Sequence, residues 1–271
     1  MKKSWLLKML FVSLMALLVL SACGDKEEEA DAEGSASGAL EEIKEKDKIV
    51  FGVKHDTRLF GLKNPSTGEV EGFDIDIAKE IAKSILGDET KVEFKEVTSK
   101  TRIPMLNNGQ IDAIIATMTI SEERKKEVDF SDVYFLAGQS LLVKKGSDIK
   151  SIDDLNGDTT VIAVKGSTSA INIREKAPEA KVLEFENYAE AFSALKAGKG
   201  DTLTTDDSIL YGMAAEDDNY ELVGDTFTDE PYGIAVKKGN SDLVDEINKV
   251  LKELKDSGKY DEIHDKWIKK Q

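Results

Sequence analysis

The chain has 271 residues, and its 37 Lys and Arg residues stand against 53 Asp and Glu residues, which makes the formal net charge −16. Such an acidic protein is a poor partner for nucleic acid and for anionic lipid surfaces. A single cysteine allows no internal disulfide. Because only two histidines accompany it, we predict neither a metal site nor a bound cofactor.

Residues 1–22 are predicted to form a secretory signal peptide, because lysines flank an apolar run that is short for a membrane span. The next residue, Cys23, ends a Leu-Ser-Ala-Cys motif that resembles the bacterial lipobox. This implies cleavage before Cys23 and acylation of its thiol, with a core cysteine as the alternative. Two acyl chains would anchor the protein stably at a membrane. Residues 23–40 are rich in Asp, Glu, Ala, Gly and Ser, which predicts a flexible acidic tether.

The remaining chain alternates strand-like and helix-like segments. Apolar residues at helical spacing predict a helix from Phe73 to Leu86 that stops at Gly87, and the largely apolar run 111–116 predicts a buried parallel strand. Other strands are predicted at 49–53, 92–94, 161–164, 182–185, 202–205 and 232–236, and other helices near Pro104, from Ser169, and around 191–195, 244–254 and 260–267. Extended segments at 139–143 and 231–236 join two α/β units. The pattern fits two hinged lobes or one doubly wound domain equally well.

Four motifs that follow one another along the chain resemble the polar-amino-acid family of bacterial extracellular solute-binding proteins. They are Gly72-Phe73-Asp74 with its helix, residues 116–124 with Asp129-Phe130-Ser131, residues 164–169, and residues 205–210. The resemblance spans roughly residues 47–271. It implies an α/β, type II periplasmic-binding-protein fold with two hinge strands and the ligand in the cleft between lobes. Lobe 1 would comprise residues 41–138 and 231–271, and lobe 2 residues 139–230.

The same resemblance implies a function without catalysis. The chain would be the substrate-binding lipoprotein of an ABC importer, anchored as a monomer on the outer face of a Gram-positive cytoplasmic membrane. It would close over free glutamine, or over glutamate or aspartate, and deliver it to permease and ATPase subunits. The alternatives are a sensory or receptor module, an enzyme on the same fold, and histidine, arginine or cystine as the ligand.

The family's positions for the α-groups of an amino acid carry over residue by residue. Arg124 would hold the α-carboxylate, because a guanidinium offers a bidentate fork. Asp206 would pair with the α-ammonium, with the adjacent Asp207 as the alternative. The backbone and hydroxyl groups that complete this part of the site belong to Thr117, Thr119, Thr168 and Ser169.

The residues around the ligand side chain point to two different ligands. Phe60 and Phe73 would form apolar walls. Asp56 and Lys165 resemble the glutamine-binding pattern, in which an acceptor and a donor suit a carboxamide. Arg102 resembles the aspartate and glutamate binders, where an arginine meets the distal carboxylate. Otherwise Asp56 neutralises Arg102, or Arg102 faces solvent.

Overall fold

The computed structural model describes residues 38–268, so the predicted signal peptide, Cys23 and most of the predicted tether lie outside the described residues. The first helix begins at Ala39, which places the last two residues of the predicted tether, Ala39 and Leu40, inside a helix. Among residues 38–268, no helix combines the length and the apolar character that crossing a membrane requires.

Helices and strands alternate along the described chain. The helices are α1 (Ala39–Lys46), α2 (Phe73–Leu86), α3 (Arg102–Asn107), α4 (Glu122–Lys125), α5 (Thr168–Lys176), α6 (Tyr188–Lys196), α7 (Asp207–Ala214), α8 (Ser241–Asp256) and α9 (Lys259–Trp267). The strands are β1 (Ile49–Val53), β2 (Asp56–Thr57), β3 (Gly61–Lys63), β4 (Val70–Glu71), β5 (Val92–Glu96), β6 (Ala113–Ile114), β7 (Val128–Phe130), β8 (Phe135–Ala137), β9 (Gln139–Lys144), β10 (Thr160–Val164), β11 (Lys181–Phe185), β12 (Thr202–Asp206), β13 (Tyr220–Val223), β14 (Glu230–Tyr232) and β15 (Ala235–Lys237).

The first lobe is built on a five-stranded sheet in the order β5-β1-β6-β15-β7. Strand β1 runs parallel to β5 and β6, whereas β15 returns from the end of the chain and pairs antiparallel with β6 and β7. Helices α2, α8 and α9 pack with Phe51 and Ala113 in one core, and α3 packs on the other face with Ile114. Because both faces of the sheet are covered, its central strands read as continuous apolar runs.

The second lobe repeats this plan with a sheet in the order β11-β10-β12-β9-β13. Strand β10 runs parallel to β11 and β12, whereas β9 is antiparallel to β12 and β13. Helices α6 and α7 cover the face that carries Leu142 and Leu203, while Ile173 of α5 packs on the opposite face with Val161.

Two short antiparallel strands connect the lobes. Strand β8 pairs with β14, so that Ala137 lies opposite Glu230 and Phe135 opposite Tyr232. The predicted first crossing, at 139–143, was placed too late, because those residues belong to buried β9 inside the second sheet. The predicted strand 232–236 is divided into β14 and β15, with Gly233 between them packed against Ile120. Lobe boundaries beside these strands, after residues 138 and 230, stay a prediction.

Candidate functional site

The carboxyl ends of the central strands of both lobes meet at one cleft. Lys54 directly follows β1, Thr117 is the third residue after β6, and Asp206 ends β12. Open α/β sheets place binding groups at this end of their strands. Hydrogen bonds cross from one lobe to the other on both sides of these residues, so the described chain is in a closed form.

Arg124 lies in the short helix α4, and Ser121 caps this helix by accepting a hydrogen bond from the Arg124 backbone amide at 3.3 Å. Its Nη1 donates to the Thr119 carbonyl at 2.7 Å, and its Nη2 donates across the cleft to the Gly166 carbonyl at 3.2 Å. Burial lowers the pKa of Arg124, and the nearby Asp206 opposes that effect. The guanidinium is therefore held in the cleft by two carbonyls, and it forms no ion pair with a carboxylate among residues 38–268.

The Gly-Phe-Asp motif shapes the loop that precedes Arg124. The buried Asp74 carboxylate accepts hydrogen bonds from the Thr117 amide at 3.1 Å and from the Tyr134 hydroxyl at 2.9 Å. Thr117 has a φ of 46°, an unfavourable conformation for a β-branched residue, so Asp74 stabilises a strained backbone at the cleft. Gly72 is required because a Cβ there would lie 2.1 Å from the Phe60 carbonyl oxygen.

Two further cations, Arg102 and Lys54, are buried in the first lobe beside Arg124. Arg102 is 2 % exposed and donates from Nη1 to the Ala116 carbonyl at 2.7 Å, while its Nε has no partner in the described structure. Lys54 donates to Ser99 Oγ at 2.9 Å. Burial, reinforced by the neighbouring cations, lowers the pKa of Arg102 to about 9 and the pKa of Lys54 to about 7. The interpretation in which Arg102 faces solvent is thus wrong.

Asp206 is the carboxylate that the second lobe contributes to the cleft. It accepts hydrogen bonds from the Tyr232 hydroxyl and, at 3.4 Å, from Ser169 Oγ. Burial and then the nearby Glu230 raise the pKa of Asp206 to about 7. Asp207 points elsewhere, because its Oδ1 accepts hydrogen bonds from the amides of Gly138 and Ser208. The structure therefore places the Asp206 carboxylate, and not that of Asp207, at the cleft, and the pairing of Asp206 with an α-ammonium stays a prediction.

Glu230 joins the two lobes through a cluster of hydroxyls. Its Oε2 accepts hydrogen bonds from Thr119 at 2.7 Å and from Thr168 at 2.8 Å, and these residues belong to different lobes. Its Oε1 accepts from Asn172 and Thr228. All these donors satisfy the buried carboxylate, so Glu230 holds Thr119 and Thr168 beside the cleft.

Asp56 and Lys165 are not brought together by the structure. Asp56 reaches the amides of Tyr188 and Ala189 in the second lobe rather than the guanidinium of Arg102. Lys165 is half-exposed and its ammonium pairs with Glu186 at the edge of the cleft. Neither side chain is placed as a free acceptor or donor for a carboxamide.

Phe60 and Phe73 are completely buried in the aromatic core of the first lobe. Their rings meet edge to face with centroids 6.1 Å apart. The Phe60 ring also packs against the ring of Tyr232, with centroids 6.0 Å apart, whereas Phe73 packs against Tyr134 and Tyr260. Phe60 therefore packs against Tyr232, which contacts Asp206, whereas Phe73 has no ring contact with Tyr232 and lies deeper in the core.

Sequence reasoning missed four residues of this cleft. Lys54, Tyr188, Glu230 and Tyr232 are all buried there. Only Lys54 carried a local signal, since a lysine directly after an apolar strand marks the carboxyl end of that strand. Glu230 and Tyr232 enter the site because the crossing strand β14 returns to it, and no spacing along the chain encodes that return.

A model of the bacterial extracellular solute-binding proteins, family 3, matches residues 49–270. The chain belongs to this family. Its members are extracellular solute-binding proteins, so the predicted family is confirmed.

Two relatives match nearly the whole chain. The ABC transporter glutamine-binding protein GlnH of Bacillus subtilis is 71% identical over 259 residues, which cover 95% of each chain. The glutamine-binding protein of Geobacillus stearothermophilus is 62% identical over 244 residues, covering 87% of this chain and 93% of the relative.

A solved structure supports the architecture. An ancestral arginine-binding protein bound to glutamine matches with a TM-score of 0.77 and 47% identity, covering 83% of this chain and 99% of that chain. The two sheet-containing lobes and this match confirm the predicted two-lobed periplasmic-binding-protein fold.

Proposed function

We propose that this chain is the substrate-binding component of an ABC importer and that it binds free glutamine between its lobes. The observation that carries the proposal is the opposition of Arg124 and Asp206 across one closed cleft. Asp206 is buried, Arg124 is partly buried, and neither forms an ion pair with another described side chain. A free amino acid presents an α-carboxylate and an α-ammonium, which would satisfy these two groups together.

Glutamine as the ligand is supported by the two relatives named as glutamine-binding proteins, at 71% and 62% identity. In this assignment Thr117, Thr119, Thr168 and Ser169 surround the α-groups. The carboxamide would lie toward Arg102 and Lys54, which both retain donors for its oxygen. Phe60 lies behind Tyr232 and supports this wall from the core.

A second ligand class, glutamate or aspartate, is favoured by the same two cations. Lys54 and Arg102 lie in the cleft in addition to Arg124, and a distal carboxylate would compensate their buried charge better than a neutral amide. Against this, burial already lowers the pKa of Lys54 to about 7, so part of that charge is absent near neutral pH.

The proposal includes delivery of the ligand to a permease and attachment of the protein to the membrane. The ligand would favour the closed form because Arg124 and Asp206 reach it together only when the lobes meet. The closed protein would then be recognised, as a monomer, by a permease with ATPase subunits. A signal peptide and a lipid on Cys23 would hold it on the outer face of a Gram-positive cytoplasmic membrane.

The test is calorimetric titration of the chain without its signal peptide, unfolded and refolded to remove any ligand, against glutamine, glutamate, aspartate, histidine, arginine and cystine. Tight binding of glutamine alone supports the proposal. Tighter binding of glutamate or aspartate assigns the cleft to the acidic ligands. If none of the six amino acids binds, the assignment of an amino-acid ligand is refuted.

A further inference from the structure

Asp56 makes a contact that exists only when the lobes are together. It lies on β2 of the first lobe, and its Oδ2 accepts hydrogen bonds from the backbone amides of Tyr188 at 2.6 Å and Ala189 at 3.3 Å. Those amides open α6 of the second lobe. The two groups belong to different lobes, so the contact depends on the closure of the cleft.

The first turn of α6 needs this carboxylate. The first amides of a helix have no partner within the helix, and the positive end of the helix dipole favours an anion. Asn187 caps α6 from its own lobe and accepts only from the Glu190 amide, at 2.8 Å. Asp56 supplies the acceptor for the Tyr188 and Ala189 amides, and water must replace it whenever the lobes separate.

The contact also links Asp56 to Tyr188, whose side chain is buried at the cleft. The Tyr188 side chain follows the first bonded amide, and its ring centre lies 4.9 Å from the Lys54 ammonium of the first lobe. The Tyr188 hydroxyl is hydrogen-bonded to Thr205 at 3.2 Å, one residue before Asp206. Asp56 is therefore coupled to the cleft through Tyr188, and both of its oxygens are occupied, since Oδ1 accepts from Thr57.

Neighbouring contacts on the same edge of the cleft join the lobes without a ligand. Lys100 of the first lobe lies 3.8 Å from Glu186, the residue two positions before α6. That ion pair is exposed and contributes little. Asp56 is less exposed, and its hydrogen bonds to a helix terminus are charge-assisted, so it provides the stronger connection of the two.

We infer that Asp56 is a positioning residue that stabilises the closed form by capping α6 of the opposite lobe, and that it does not read the ligand side chain. The inference rests on the proposed function in one respect, which is that closure is driven by an amino acid. It differs from a specificity role in its consequence. A residue that stabilises closure itself affects all ligands by the same factor, whereas a ligand contact changes their ratio.

The experiment compares Asp56→Ala and Asp56→Asn with the wild type, using glutamine and glutamate as probes. Calorimetry gives both affinities, and stopped-flow displacement gives the dissociation rates. We expect Asp56→Ala to weaken both amino acids by the same factor, about tenfold, through faster dissociation. The affinities of Asp56→Asn should lie between those of the wild type and of Asp56→Ala, because the asparagine amide oxygen can still accept hydrogen bonds from α6.

Asp112→Ala is the matched control. The Asp112 carboxylate accepts from the Val50 backbone amide at 2.8 Å, so it makes the same kind of bond within one lobe. This variant is expected to lower the melting temperature and to keep both affinities. For Asp56→Ala the melting temperature without ligand should stay close to that of the wild type, because the lost bonds belong to the closed form.

Two outcomes would overturn the inference. A loss confined to glutamine or to glutamate would make Asp56 a ligand contact, and unchanged dissociation rates would show that its bonds to α6 do not stabilise closure. Failure of the wild type to bind either probe refutes the ligand assignment instead. The amino acid that binds in its place then becomes the probe for the same comparison.

Discussion

Gly166 of the second lobe lies directly against the backbone of Lys100 in the first lobe. A Cβ at Gly166 would be 2.8 Å from the Lys100 Cα and 2.9 Å from its nitrogen, and backbone atoms at this distance cannot move aside cheaply. Gly166 also has a φ of 75°, and its carbonyl accepts from Arg124. The two lobes can therefore approach this closely at Lys100 only because residue 166 is a glycine.

Gly166→Ala is expected to hinder closure and to weaken amino-acid binding by roughly tenfold or more, a loss of about 1.4 kcal/mol per factor of ten. The matched control is Gly146→Ala, where φ is 85° and no atom lies within 4 Å of the added Cβ. Both variants carry the same backbone strain, about 1 kcal/mol, so similar melting temperatures with different affinities by calorimetry would support the prediction. Equal affinities would contradict it.

Asp206→Asn should stabilise the protein without ligand while removing binding. The wild-type carboxyl has an ordinary pKa of 3.8 in the unfolded chain, and burial raises the pKa of Asp206 to about 7 in the folded chain. Between these values the folded state retains a proton that the unfolded state has lost. The free energy of unfolding of the wild type therefore decreases as pH rises from about 4 to about 7.

Asparagine does not titrate, so the advantage of Asp206→Asn should grow over that pH range and level off above pH 7, at a few kcal/mol at most. Urea unfolding of ligand-free protein at pH 4.5, 6 and 8 measures this difference, and calorimetry with glutamine measures the loss of binding. A difference in stability that stays constant with pH would show that the Asp206 carboxyl titrates normally in the ligand-free protein, as it does when the lobes separate and expose it.

Arg124→Ala is expected to weaken every amino-acid ligand by about 100-fold or more, because truncating one partner of a buried ion pair leaves the ligand carboxylate unpaired. Arg124→Lys should fall between the wild type and alanine, since lysine keeps the charge but loses the bidentate fork. Calorimetry with glutamine and glutamate provides the measurement. Near-normal affinity for either amino acid in Arg124→Ala would refute the assignment of the α-carboxylate to this residue.

Arg102→Met should separate the two ligand classes, because methionine fills much of the same buried space without charge. If the ligand side chain reaches Arg102, glutamate affinity should fall at least tenfold more than glutamine affinity, as expected for the loss of a charged rather than a neutral hydrogen bond. Arg174→Met, at an arginine that pairs with Glu184 on the outside of the second lobe, is the control. Equal losses for both ligands would assign Arg102 a purely structural role.

The local pattern of the sequence predicted individual elements well. Helix α2 has the predicted bounds, and the predicted β1 is also matched residue for residue. Apolar residues at helical spacing, followed by Gly87 at a φ of 77°, are local signals that tertiary contacts reinforce here. The run 111–116 was predicted longer than β6, because only its centre pairs with β1 and β15.

The site was predictable where a motif carries its own chemistry and not where two distant segments meet. Arg124, Asp206 and the loop at Thr117 were predicted from the resemblance of their short motifs to the family, and the structure places them at one cleft. Asp56 and Lys165 illustrate the reverse case. A carboxylate and an ammonium suggested a carboxamide site, but the fold directs Asp56 to the amides of α6 and Lys165 to Glu186.

By itself, the sequence determined the alternation of strands and helices and the membership of the family, because both depend on local patterns and motifs. The tertiary structure decided which groups face the ligand. Lys54, Tyr188, Glu230 and Tyr232 reach the cleft only because parallel strands align their ends and β14 crosses back between the lobes. Burial then sets the ionisation of Asp206 and Lys54, and burial is a property of the closed fold that no short segment encodes.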